Sequence, residues 1–238
     1  MRLNKYVGAI ISLVLAGMLA SGCLSDEGDA DKPTGCKIKK SIVEWTHTHG
    51  ECMDGYAHGA GRAISHDGRR YEGGFKQGRF SGQGTLTHKE GDKYIGEFAY
   101  GRAHGKGVLT APNGDKFEGT FSRGKRQTGK GILTVENKGK YIGEFRGGRP
   151  HGRGKFTALS GISYDGEYVS GLRQGQGTAT YESGGVYSGQ WLRNKPHGQG
   201  EMRQLDGDNF KGEFKKGLPW TGGGILEGKP FEMKNGEM

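Results

Sequence analysis

Long hydrophobic runs are what this chain most lacks. Apolar residues make up 32% of its 238 positions, too few for the thick core of a conventional two-layer domain. Its one uncharged apolar stretch, Val7 to Leu19, is short of the ~20 residues that a membrane-spanning helix needs. Three cysteines exclude a disulfide-dense scaffold. Six prolines and 49 glycines without a strict G-X-Y period exclude collagen. Aromatic residues reach 10% and recur regularly, which excludes a low-complexity disordered tract. What the chain does have is glycine in an ordered setting and a positive balance, formally +9 at pH 7.

The N-terminus reads as a separate object. Arg2 and Lys5 form a positive region, Val7–Leu19 an apolar one, and "LASGC" closes it at Cys23. This resembles the lipobox of bacterial lipoproteins, with Ala20 where leucine is usual and Leu19 one place earlier. The resemblance implies cleavage after residue 22 and a diacylglycerol-bearing Cys23; the alternative is ordinary cleavage that leaves Cys23 a plain thiol. Removing Arg2 and Lys5 lowers the formal charge from +9 to +7. Residues 23–35, acidic and polar, read as a flexible tether. Leu24, rather than Asp, follows the cysteine, which by analogy with lipoprotein sorting favours the outer membrane, facing the periplasm or the cell surface. Export puts Cys36 and Cys52 in an oxidising compartment, so a disulfide is expected between them, closing a loop of about 15 residues and stabilising by roughly 3 kcal/mol. A metal site using His47, His49 and Cys52 is the alternative, without evident supporting ligands.

The rest of the chain repeats. Aromatics stand at Tyr71, Tyr94, Phe117, Tyr141, Tyr164, Tyr187 and Phe210, at intervals of 23 or 24 residues. Glycine follows each by two places, and a second aromatic by four: Phe75, Phe98, Phe121, Phe145, Tyr168, Trp191 and Phe214. A worn copy, with Thr48 and Cys52 at the aromatic places, precedes them. Alternation with period two predicts strands. Each copy turns at Gly55, Gly78, Gly101, Gly124, Gly148, Gly171, Asn194 or Gly217. The one asparagine marks a backbone position with positive φ. "HDGR", "PNGD" and "LDGD" supply a second turn between copies, so no room remains for a helix. The rings are expected to lie on a bare strip made by glycines such as Gly96, Gly105 and Gly107.

"YIGEFAYGRAHGKGVLT", residues 94–110, returns as "YIGEFRGGRPHGRGKFT" at 141–157. Both resemble the MORN repeat (membrane occupation and recognition nexus), with its Y-x-G-x-F/W-x-x-G-x-x-x-G-x-G skeleton. The resemblance implies an all-β fold: an elongated single-layer antiparallel sheet of consecutive MORN hairpins, preceded by the cleaved lipoprotein signal peptide. It also implies binding or scaffolding rather than catalysis. The expected organisation is a signal peptide at 1–22, the anchored tether at 23–35, an N-terminal cap with the worn repeat at 36–70, seven copies at 71–228 and a C-terminal tail at 229–238. Copies three and seven ("GKRQTGKG", "GLPWTGGG") read as having an extra residue in the turn.

Other constellations reduce to the repeat. His58, His104, His151 and His197 recur in alternate copies, about 20 Å apart at two strand spacings per copy, too far to share a metal. "HGRGKFT" lacks the Ser/Thr that a phosphate loop needs after Gly-Lys. No nucleophile–base set stands apart from the periodic pattern, so no catalysis, cofactor or nucleic-acid partner is expected. Glu97, Glu144, Glu167 and Glu213 share a face with Lys106, Lys130 and Arg153, reading as cross-strand pairs on a solvated surface. The expected partner is another envelope or secreted protein, besides the membrane reached through the anchor and a second copy paired through open sheet edges. Tyr94, Phe98, Tyr141, Phe145, Tyr164, Tyr168, Tyr187 and Trp191 are the candidate binding residues, with inner ring edges structural and outer edges exposed. The alternative function is a specific ligand binder: an inhibitor or immunity protein against an envelope-directed toxin, or a receptor for acidic lipid or glycan.

Overall fold

The computed structural model describes residues 33–39 and 43–238; the expected signal peptide, Cys23 and most of the tether lie outside the described residues. The first hairpin joins β1 (Trp45–Met53) to β2 (Tyr56–Ser65). Seven further hairpins follow: β3 (Arg70–Lys76) and β4 (Arg79–Thr87), β5 (Lys93–Ala99) and β6 (Arg102–Thr110), β7 (Lys116–Ser122) and β8 (Lys125–Val135), β9 (Gly139–Arg146) and β10 (Arg149–Ala158). The last three are β11 (Ser163–Val169) and β12 (Leu172–Thr180), β13 (Val186–Leu192) and β14 (Lys195–Arg203), β15 (Asn209–Lys215) and β16 (Leu218–Leu226). A final strand, β17 (Lys229–Met233), pairs with β16, so the expected tail at 229–238 begins as part of the sheet. Among the described residues there is no helix, and the strands pair antiparallel with their sequence neighbours in one open sheet.

Two local devices build each hairpin. The turn has two positive-φ residues, as at Tyr100 (53°) and Gly101 (79°), and Asn194 (71°) takes the glycine's place in its copy. Two positive φ angles make a type I′ turn, whose twist matches that of the flanking strands. Behind the turn, the returning strand bulges: Gly96 pairs with Gly107 and Phe98 with Ala103, so Glu97 alone faces His104, Gly105 and Lys106. Gly105 has φ +57°, and a Cβ there would strike the Glu97 carboxylate. Gly105 therefore serves the bulge and not the strip beneath the rings, where the sequence reading put it.

Where the repeat varies, the ladder responds. In β8 only Gln127 and Thr128 face Thr120, one residue fewer than in the other bulges. Gly129 pairs with Gly119 while Gly131 pairs with Gly143, so the register steps by two residues across this strand. Copies three and seven thus have a shortened bulge, not a lengthened turn. In copy seven the same change leaves Gly224 opposite Phe210 and carries Leu226 two residues past the ring, where it is 42% exposed. The worn first copy is also read differently. His47, not Thr48, holds the first aromatic place, pairing with Ala63 as Tyr71 pairs with Leu86. Its imidazole is buried edge-on to Phe75 at 5.0 Å, with Nδ1 2.7 Å from the Thr34 hydroxyl. Burial lowers its pKa, with His49 adding to the effect.

Candidate functional site

The ring face is built from the glycine pairs upward. Tyr94 lies over Gly96 and Gly107, and a Cβ on Gly107 would come within 2.6 Å of its ring. Its hydroxyl donates to the Glu97 carbonyl at 2.9 Å. Tyr71, Tyr141, Tyr164 and Tyr187 repeat that bond to the carbonyls of Gly74, Glu144, Glu167 and Gln190 at 2.8–3.0 Å. Each first ring meets the second ring of its own copy edge-on, as Tyr164 meets Tyr168 at 5.2 Å, and then the second ring of the next copy, Trp191 at 5.0 Å. The inter-copy contact lengthens to 6.0 Å between Phe117 and Phe145, where β8 steps in register.

The eight candidate binding residues do come together, but as a core. Tyr94, Phe98, Tyr141, Phe145, Tyr164, Tyr168, Tyr187 and Trp191 are all 6% exposed or less, which corrects the expectation of free outer edges. The cover comes from the residue two places after each turn, which the sequence reading passed over. Phe80 stacks on Tyr71 at 3.7 Å. Arg126 lies over Phe117 at 5.7 Å, and Arg173 over Tyr164 at 5.4 Å and Trp191 at 4.4 Å. Arginine over a ring closes it from water through the flat guanidinium. Burial pushes the phenols of Tyr94, Tyr141, Tyr164 and Tyr187 up to about 12, because an anion there would lose its hydration. It raises those of Tyr71 and Tyr168 too.

On the opposite face the glutamates are bulge caps. Glu97 Oε1 accepts the Lys106 backbone N–H at 2.8 Å and Glu167 Oε1 that of Gln176 at 3.0 Å. Gln190 does the same for Gln199 at 2.9 Å, so the position needs an acceptor rather than a charge. Glu144 keeps the expected cross-strand partner, Lys130, at 3.6 Å. Gln190 was the sequence signal for this role, since an amide cannot form an ion pair.

Cys36 and Cys52 are joined by a disulfide, with Cα atoms 5.5 Å apart. It ties residues 34–39 to the first hairpin, where the Lys37 N–H donates to Gly55 O at 2.9 Å. Cys52 is thereby not a free ligand, and no group of three His, Cys, Asp or Glu among the described residues could hold a metal ion. At the other end of the sheet, β17 is only five residues long and includes Lys229 and Pro230, features that blunt a strand edge against pairing.

Charge is sorted by rim. Antiparallel hairpins place every turn within a copy on one rim, and these turns stack. Gly101 N–H reaches Phe80 O at 3.0 Å, Gly124 reaches Ala103 at 2.9 Å, and Asn194 reaches Arg173 at 3.0 Å. From "KQGR" at 76–79 to "KKGL" at 215–218, the seven turns carry eleven Lys and Arg and no Asp or Glu. None of those eleven belongs to an ion pair among the described residues. The acids gather on the other rim, where some have turn duties: Asp115 accepts the Thr134 N–H at 2.7 Å and Asp208 that of Glu227 at 2.8 Å.

These features define a solenoid-like repeat protein in which one hairpin is the unit and the rings of neighbouring units form the core. The chain belongs to the MORN-repeat family: the MORN repeat model matches six times, at residues 71–93, 94–116, 117–134, 141–161, 164–186 and 187–208. The hairpin β15–β16 continues the pattern beyond the last match. No curated protein matches the chain. Among solved structures, the chain is similar to selenomethionine-substituted virginiamycin B lyase from Staphylococcus aureus, at 14% identity over 81% of this chain and 74% of that one, TM-score 0.17. A catalytically inactive form of the lyase with Quinupristin gives 10% over 81% and 88%, TM-score 0.16.

Proposed function

We propose that this protein is a non-catalytic, lipid-anchored scaffold of a bacterial envelope that holds another envelope or secreted protein on its repeat sheet. The observation that carries the reading is the rim of stacked turns. Eleven cations stand there, in six of the seven turns, without a carboxylate and without an ion pair among the described residues. Surface charge left unpaired in such a row steers and orients a partner. The ring face, by contrast, is consumed by the protein's own packing. The anchor rests on "LASGC" and Cys23, and Leu24 favours the outer membrane.

Two measurements test it. Cys23→Ser should stop palmitate incorporation and release the protein from membranes into the soluble periplasmic fraction; a variant that stays with membranes, beside unlabelled wild type, refutes the anchor. Wild type tagged at its C-terminus and crosslinked in intact cells should yield one saturable protein partner. Recovery of none refutes the scaffold.

A further inference from the structure

The basic rim has a cleft at its N-terminal end. The cleft, of about 1040 Å³, lies between Ile38, Lys39, Val43 and Trp45 on one side and the turns of three successive hairpins on the other. Its floor is aromatic: Trp45 meets Phe80 edge-on at 4.9 Å, and Phe80 stacks on Tyr71. Arg79, Arg102 and Arg123 line it, with Lys39 and Arg69, and no carboxylate among the described residues does. Two of these cations are already engaged. Arg69 pairs with Asp67 at 2.8 Å, and Lys39 lies over the Tyr56 ring at 5.3 Å. Arg79, Arg102 and Arg123 are exposed and have no ion-pair partner among the described residues. Tyr100, 84% exposed, stands beside them in the same cleft.

We propose that this cleft docks an extended acidic polypeptide segment of the partner, in the polyproline II conformation with a carboxylate at every third residue. The inference rests on the scaffold reading and deepens it by giving the surface and the partner's chemistry. Arg79 and Arg102 hold the same place in consecutive hairpins, the first residue after the turn. Two strand spacings separate them, about 10 Å. Arg123 belongs to the turn of the following hairpin, extending the row by a further repeat. A polyproline II helix returns to the same face every third residue, at about 9 Å. Acidic side chains at that interval therefore meet successive guanidinium forks, which bind carboxylates in two-point fashion. The intervening prolines would sit on the half-buried Trp45 and the exposed Tyr100, since aromatic-lined grooves suit this preformed helix. A flat anionic membrane does not match a concave cleft with an aromatic floor.

A fluorescein-labelled peptide of five Glu-Pro-Pro units, titrated with the protein and read by anisotropy, tests this. Wild type should bind saturably, and Arg79→Gln/Arg102→Gln/Arg123→Gln should weaken binding by about tenfold or more. The three side chains are exposed, so circular dichroism and the thermal midpoint should not move. Neutralising Lys93, Lys116 and Lys140 instead, away from the basic rim, should leave affinity within about twofold. A peptide of equal composition with its five glutamates contiguous should bind about fivefold more weakly. The proposal is overturned by a wild type that ignores the Glu-Pro-Pro peptide, a triple variant that binds it unchanged, or a contiguous peptide that binds as tightly. It is also overturned if wild type binds phosphatidylglycerol vesicles but not the peptide. A crosslinked partner indifferent to the three substitutions removes the cleft alone; failure to crosslink any protein removes the scaffold reading.

Discussion

Gly177→Ala is the sharpest probe of how this sheet coheres. Gly177 pairs with Gly166 on one side and Gly189 on the other, beneath the Tyr164 ring. An added Cβ would sit 2.6 Å from Tyr164 Cε2, well inside contact distance, so the ring must move. It has little room, being 1% exposed, with Tyr168 at 5.2 Å, Trp191 at 5.0 Å and Arg173 over its face. Overpacking of this kind costs roughly 1–3 kcal/mol, and tilting the ring endangers the hydroxyl's bond to the Glu167 carbonyl, worth about 1 kcal/mol. The expected destabilisation is therefore about 2–4 kcal/mol, read as a shift in the urea midpoint. A double-mutant cycle isolates the cause. In a Tyr164→Ala background the ring is gone, and Gly177→Ala should be neutral or stabilise by about 0.5–1 kcal/mol, as alanine does over glycine inside a strand. A coupling energy within about 0.5 kcal/mol of zero would show that the glycine pair is not a seat for the ring, and the account of the core would fail.

Three further outcomes follow from the same structure. Intact-mass analysis of protein isolated without reductant should find Cys36 and Cys52 two hydrogens lighter than the reduced form, and Cys36→Ser/Cys52→Ser should destabilise the first hairpin by up to about 3 kcal/mol; two alkylatable thiols would refute this. The phenols of Tyr94, Tyr141, Tyr164 and Tyr187 are raised to about 12 from an unfolded value near 10. The folded state then holds protons that the unfolded state has lost. Their contribution is complete below about pH 10 and disappears as pH rises through the folded values, so the urea midpoint should fall steeply between about pH 10 and 12; a flat profile there would contradict the burial of these rings. Finally, Glu97→Gln should be tolerated whereas Glu97→Ala, which orphans the Lys106 N–H, should cost about 1 kcal/mol. Equal losses for both would mean that charge, not an acceptor, is required.

Much of the fold could be read directly from residue spacing. Rings every 23 or 24 residues, with glycine two places on, define the hairpin and its register, because side chains alternate across a strand. Asn194 disclosed the positive φ of the turn. The two-residue step in β8 was not legible. "GKRQTGKG" is compatible with an extra residue in the turn or one fewer in the bulge, and only pairing with both neighbouring strands distinguishes them. His47 was passed over because a bulge at Thr48 shifts it off the expected count.

The candidate surface divides in the same way. That the rings share one face follows from local alternation, and the sequence determined it alone. Whether that face is open to a partner depends on what lies above it, and this involves residues from the other strand of the hairpin. Phe80, Arg126 and Arg173 are unremarkable as sequence; the type I′ turn and bulge swing them over the rings and close the core. The charge balance of +9 likewise says nothing of place. Only the antiparallel path, sending alternate turns to opposite rims, leaves one rim with cations and no acids, and only Ile38, Lys39, Val43 and Trp45 beside those turns make a cleft of it.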